Sequence, residues 1–325
     1  MRNRRELFGL VRNFGNTVCS VRFFRAVVLL FLILFFQFYP TKTISGQSAG
    51  DYRTNATGTW NWNTVANWQV YNGTAWVAAS DFPGQNPGTG TVTIQNNTNV
   101  TLNVTPANPI GALVIAAGNR TTSVQFAGAN ALEVSGQITL NAPGNNNRSA
   151  YIDVDAGAMT CSSISMTDGN SDTRDCYIRI GNGTVIVSGD ITMQGSNFRN
   201  YFHFNGTGTL YVGGAMTGGG ITSNGGGGTT APTSGTVCFN GIGDQILPAY
   251  NFYNLTLAGG GQKVLTGAVT VNNILALNGA VLELDNFNLT VASNVADAIQ
   301  GTFDASNMIA TNGAGYLIKN AASAQ

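Results

Sequence analysis

YIDVDAGAMTCSSISM (residues 151–166), YIRIGNGTVIVSGDITM (177–193) and YFHFNGTGTLYVGGAMT (201–217) follow one pattern. Each has a short alternating strand, a glycine or asparagine corner, a second strand, another small-residue corner and a third strand. QFAGANALEVSGQITL (125–140) extends the series upstream, and TVCFNGIGDQIL (236–247) is a degraded copy downstream. The starts lie 26, 26, 24 and 35 residues apart, and the last interval holds the glycine-rich insert GGGITSNGGGGTTAPTSG. Phe126, Ile152, Ile178, Phe202 and Val237 fall on one repeat position, and Val154, Ile180, Phe204 and Phe239 fall two residues later. Period-2 alternation puts both positions on one face.

A unit of this size cannot bury its apolar side alone. It must stack on its neighbours, which is the logic of a solenoid. No helical periodicity follows the first 46 residues, so helical and leucine-rich repeats are excluded. The expected fold is all-β: a right-handed parallel β-helix, with coils about 4.8 Å apart. About nine coils would span roughly 40–45 Å. VTIQNNTNVTLNV and ALVIAAG supply strands before the clear copies, and residues 252–293 supply them after. A β-sandwich is the main rival, since Asn-Gly pairs at Asn182 and Asn205 suit antiparallel hairpins.

Residues 1–46 differ in kind. Six arginines precede the apolar run AVVLLFLILFF (26–36), and a small, polar stretch follows. This is the layout of a secretory signal, and the run is well short of the roughly 20 apolar residues of a spanning helix. The expected organisation is a signal peptide at 1–46 with an N-terminal signal helix, a Trp-rich cap at 47–90, and solenoid repeats at 91–325. The expected location is extracellular or on the outer cell surface. Membrane contact is then confined to the signal segment before cleavage.

Seven of the fifteen basic residues and one of the fifteen acidic ones lie in that segment, which leaves a net charge of −6. No basic stripe remains, so nucleic acid is excluded as a partner. Surface glycans or other surface proteins are the partners left open. Charged residues make up 9% of the chain and hydrophobic ones 43%, which favours packed strands over disorder.

All four tryptophans, Trp60, Trp62, Trp68 and Trp76, lie within GTWNWNTVANWQVYNGTAW (58–76). Their place before the first strands suits a cap over the open end of the first coil. The alternative is an aromatic platform for a carbohydrate. In the repeat alignment one outward position reads Ala127, Asp153, Arg179, His203 and Cys238. Asp153, Arg179 and His203 are therefore catalytic candidates in one row, against the plainer reading of charge pairs that stabilise a sheet. In DGNSDTRD (168–175), Asp168, Asn170 and Asp172 offer oxygen ligands for Ca²⁺. The EF-hand pattern fails there, with Thr173 and Arg179 at its sixth and twelfth positions, so an acidic solvated turn is the plainer reading. Cys161 and Cys176 could pair in an oxidising compartment, or all three cysteines beyond residue 46 could stay as thiols. One histidine and no CxxC argue against zinc, and neither GxSxG nor a Walker lysine is present. No cofactor is expected.

The string G-x-W…N-W…G-x-x-W…P-G, followed by VTI and LVIAAG, resembles the start of exported β-solenoid proteins of Bacteroidota. FYNLTLAGGGQKVLTGAVTVNNILALNGAVLELDNFNLTV (252–291) resembles their later coils. The likeness covers most of residues 58–293 and is one of pattern. It implies a large surface or secreted protein, often adhesin-like, exported by type IX secretion. Such proteins commonly end in a sorting domain, and YLIKNAASAQ (316–325) shows none. Either the chain is a fragment of a longer protein, truncated within its solenoid repeats, or that export route does not apply to it. The functional expectation is a non-catalytic stalk or adhesin segment. The alternative is a carbohydrate-active protein: a polysaccharide lyase, a hydrolase or a glycan-binding module.

Overall fold

The computed structural model describes residues 46–95, 97–167, 173–195, 199–223 and 231–321. The signal segment, apart from Gly46, and the Ca²⁺ candidates Asp168, Asn170 and Asp172 lie outside the described residues. No helix among the described residues is long and apolar enough to cross a membrane.

Residues 47–325 form one compact unit. Its described strands make four sheets, three of them long. The first runs from Tyr52–Thr54 through Thr91–Ile94, Ala112–Ile115, Gln137–Leu140, Ser163–Met166 and Ile191–Met193 to Met216–Gly218. The second runs from Gly58–Asn61 through Thr98–Leu102, Thr122–Phe126, Arg148–Asp155, Arg174–Ile180 and Asn200–Phe204 to Gly220–Thr222. The third starts at Ala131–Glu133 and continues through Ala158–Cys161, Thr184–Val187, Thr209–Val212 and Thr236–Phe239 into the later residues. The chain thus gives one strand to each sheet in turn and then steps to the next rung. Pairing along these series is parallel, so the fold is all-β and fits a β-solenoid.

Alternation creates the interior. Ile152 pairs in register with Ile178, and Ile178 with Phe202. In the third sheet Met159, Val185, Leu210 and Val237 form the matching column. All of these are buried. Each such side chain contributes about 1.5–3 kcal/mol of transfer free energy. That contribution exists only because a like residue lies above and below.

Close stacking at the corners needs small residues. Gly111 donates its N–H to Gly90, Gly136 to Gly111, Ser162 to Gly136, Gly189 to Ser162 and Gly214 to Gly189, over 2.8–3.0 Å. A side chain at Gly136 would place its Cβ 2.5 Å from the Gly111 carbonyl oxygen.

Two alignment positions are corrected. Val124, not Phe126, pairs with Ile152, because the strand begins at Thr122 and buries Val124 as well as Phe126. Val237 and Phe239 stack on Leu210 and Val212 in the third sheet, not on Phe202 and Phe204. The second-sheet place after Phe202 is taken by Gly220–Thr222, where Ile221 alone supplies an apolar side chain.

Beyond Phe239 the rungs shorten. Contacts between neighbouring rungs join residues 26 apart at Asp153 and Arg179, but 19 apart at Asn254 and Asn273. A fourth sheet, Gln245–Leu247, Gln262–Leu265, Val281–Glu283 and Met308–Ala310, takes over one side. Two buried polar residues make the junction. Gln245 Nε2 donates to the carbonyls of Val212 and Gly214 at 2.9 and 2.8 Å. Lys263, fully buried, donates Nζ to the carbonyls of Gly241 and Gly243, each at 2.9 Å. Between them they satisfy the carbonyls of Gly214, Gly241 and Gly243 and give a second donor to the Val212 carbonyl, which also accepts the Asn240 N–H.

Candidate functional site

The outer face of the second sheet carries the chemistry. Inward Ile152, Ile178 and Phe202 fix the parity, so their neighbours point outward. Three rungs then present a three-by-three grid. One column is Ser149, Asp175 and Arg199; the middle is Tyr151, Tyr177 and Tyr201; the last is Asp153, Arg179 and His203. The sequence-derived row of Asp153, Arg179 and His203 is therefore brought together. Its ends differ from the alignment. Gln125, not Ala127, pairs with Asp153, and Thr222, not Cys238, pairs with His203. Cys238 stands in the third sheet between Tyr211 and Thr256.

Charges in the grid are paired within it. Arg179 Nη2 makes an ion pair with Asp153 Oδ2, and Arg199 Nη1 lies 3.2 Å from Asp175 Oδ1. Among the described residues, Asp153 Oδ1 and Arg179 Nε are buried without a hydrogen-bond partner. Burial raises the Asp175 carboxyl above its usual range, against the lowering effect of Arg199 and of a hydrogen bond from Tyr201. Burial lowers His203 from its usual value, although Nε2 lies 3.1 Å from the Ser223 carbonyl oxygen. His203 is thus a neutral imidazole at pH 7, beside an arginine that is already engaged.

The middle column was missed as a unit, although a tyrosine opens three of the quoted copies. Its rings are stacked, with centroids 4.9 Å apart for Tyr151 and Tyr177 and 5.2 Å for Tyr177 and Tyr201. Interplanar angles are 1° and 4°. Gln125 Nε2 donates to the Tyr151 hydroxyl at 2.8 Å. Burial, then the neighbouring phenols, push Tyr177 well above the ordinary tyrosine range.

The tryptophans do not form one exposed row. Trp62 and Trp68 are fully buried, with centroids 5.1 Å apart. Trp62 Nε1 donates to the Pro83 carbonyl at 3.0 Å and Trp68 Nε1 to the Trp62 carbonyl at 2.8 Å. Trp60 packs edge-on against Trp68 and shares a register position with Val100. Trp60 and Trp76 are partly exposed, and the Arg53 guanidinium covers the Trp76 ring at 4.3 Å from its centroid. Trp68–Tyr71 and Trp76–Ala78 extend the first sheet antiparallel beyond Tyr52–Thr54. Strands in coil register therefore begin at Tyr52, inside the stretch read as a cap.

Cys161, Cys176 and Cys238 are buried, and the Cys176 thiol lies 3.7 Å from the carbonyl oxygens of Leu140 and Thr167. Cys161 lies in the third sheet and Cys176 in the second. Among the described residues no group of three His, Cys, Asp or Glu side chains could hold a metal ion.

These thiols give a pH prediction. Burial raises Cys161 from 9.0 to about 12 and Cys238 to about 11. Tyr52, Tyr177 and Tyr250 are raised for the same leading reason. A raised folded value means stability that is complete below the unfolded value and is lost as pH climbs through the folded one. Lys263 is lowered by burial and works in the opposite sense. The urea midpoint should stay level up to about pH 9 and fall steeply by pH 12. Cys161 alone contributes on the order of 4 kcal/mol over that window. A midpoint unchanged at pH 11.5 would contradict the buried thiols.

Comparison with protein families, with curated proteins and with solved structures gives no match for this chain.

Proposed function

We propose that the chain is a non-catalytic, exported β-solenoid that serves as a stalk or adhesin segment on the cell surface. One observation carries the reading: rung after rung repeats the same interior column in register, from Val100 to Ile221 in the second sheet. Such a stack is stiff along its axis, and its polar flanks are free to present loops. In this reading the coil is right-handed, the usual sense of parallel crossovers. The segment around Trp62 and Trp68 seals its first rung, and residues 1–46 direct export and are removed.

The test follows the full chain in its own cell. Mature protein lacking residues 1–46 should be cleaved by protease added to intact cells, and the purified protein should show the scattering profile of a rod. Retention inside the cell with residues 1–46 still attached would end the reading.

A second reading, a carbohydrate-active protein, is favoured by the column of Asp153, Arg179 and His203 beside three tyrosines. It requires glycan binding or cleavage that is lost in Arg179→Ala while the melting temperature holds. Export, if present, distinguishes neither reading. Glycan-array binding and product release do.

A further inference from the structure

The geometry points to the Tyr151–Tyr177–Tyr201 column as a site of oxidative cross-linking, where dityrosine bonds join consecutive rungs covalently. This goes beyond the stalk reading and does not depend on it.

Coupling two phenols requires two tyrosines held together long enough for two radicals to meet. Here the sheet does the holding. The backbones pair Tyr151 with Tyr177 and Tyr177 with Tyr201. Their rings lie parallel, 4.9 and 5.2 Å apart. A bond between ring carbons needs the rings to turn from face-to-face towards edge-to-edge, with little change in the distance between their centres. Tyr151 and Tyr177 are only half-buried, which leaves them room to turn and an approach for an oxidant. Tyr201 is buried but has a proton acceptor in place, since it donates a hydrogen bond to Asp175. A phenol that loses an electron must also lose its proton, and a carboxylate at hydrogen-bond distance takes it without solvent.

The chemistry balances as follows. Each of two neighbouring phenols gives up one electron and one proton. The two radicals then share their unpaired electrons in one carbon–carbon bond between positions ortho to the hydroxyls. The two ring hydrogens at those carbons return to the oxygens as aromaticity is restored. The link costs two hydrogens in all. The oxidant is a peroxide-driven haem peroxidase, in which one hydrogen peroxide takes two electrons and two protons and leaves as two waters. Since one tyrosine can form one such bond and keep its place, a column of three gives one link between two rungs, with Tyr177 able to join either neighbour.

The experiment treats dilute full-length protein with a peroxidase and hydrogen peroxide, then reads dityrosine fluorescence, chain size and cross-linked peptides by mass. The expected result is an intramolecular link from Tyr177 to Tyr151 or Tyr201, two hydrogens lighter than the separate peptides, with the chain still monomeric. Tyr177→Phe removes the shared partner and should cut the intramolecular yield at least ten-fold. Tyr151→Phe and Tyr201→Phe each leave one adjacent pair and should keep a substantial yield. Together as a double variant they should behave like Tyr177→Phe. Circular dichroism before oxidation establishes that each variant is folded. Absence of any link within the column, or equal yield in folded Tyr177→Phe and wild type, would overturn the proposal. So would links only between separate molecules.

Discussion

Ile178→Asp abolishes cooperative folding at pH 7. Ile178 is fully buried between Ile152 and Phe202. Removing its apolar volume alone costs about 2–5 kcal/mol. Keeping the new carboxyl neutral at pH 7 costs about another 4 kcal/mol. The sum rivals the whole stability of an ordinary domain, about 5–15 kcal/mol. Loss at one rung also removes the interface on both sides, because each repeat is stabilised by its neighbours. Urea unfolding followed by circular dichroism provides the reading, with Ile178→Val as a control that costs about 0.5–1.5 kcal/mol. The introduced carboxyl has a raised folded value, so its penalty is least below the unfolded aspartate value and grows as pH rises. Partial recovery near pH 4 is therefore expected. A cooperative transition within 1 kcal/mol of wild type would mean that Ile178 does not face a packed interior.

Gly183→Ala is nearly as damaging, for a different reason. A Cβ there would overlap the carbonyl oxygen of Gly157 and stand 2.8 Å from the carbonyl oxygen of Asp155 and 2.9 Å from the amide nitrogen of Gly157. These are backbone atoms of the rung below, so no side chain can rotate away. Relief requires prising two rungs apart, which also lengthens the bonds from Gly183 N–H to Asp155 and from Thr184 N–H to Gly157. The cost should reach or pass the upper end of the usual overpacking range, about 3 kcal/mol. Gly243→Ala is the control, since nothing lies within 4 Å of the position. It should stay within about 0.5 kcal/mol of wild type. Equal effects at both glycines would show that the rungs are not in close contact at this corner.

These two positions also mark what sequence reading reaches. Strict alternation around Ile152, Ile178 and Phe202 is a signal of period two, and the rungs keep it because one side of each strand is buried. The outward residues between them, Asp153, Arg179 and His203, follow automatically from the same parity. What failed had no such pattern. Gly220–Thr222 carries a single apolar side chain and reads as part of a loop, so the repeat pattern passes over it to the next apolar strand, which lies in the third sheet. The Phe126 offset arose because a window of alternating residues fits two registers that differ by two. Lys263 could not be recognised as buried, since its burial depends on carbonyls twenty or more residues earlier in the chain. The grid of tyrosines and ion pairs was half visible: the letters align, but whether rings stack or splay is decided by the separation of the strands beneath them.

The junction near Lys263 has one more implication. Leu210, Val237, Leu255 and Leu275 continue as a single line through the change from long to short rungs. One wall is thus shared while the others are remodelled. Girth and height can therefore be edited separately. Duplicating a turn lengthens the shaft, and trimming a corner slims it, without either change disturbing the wall that both halves have in common.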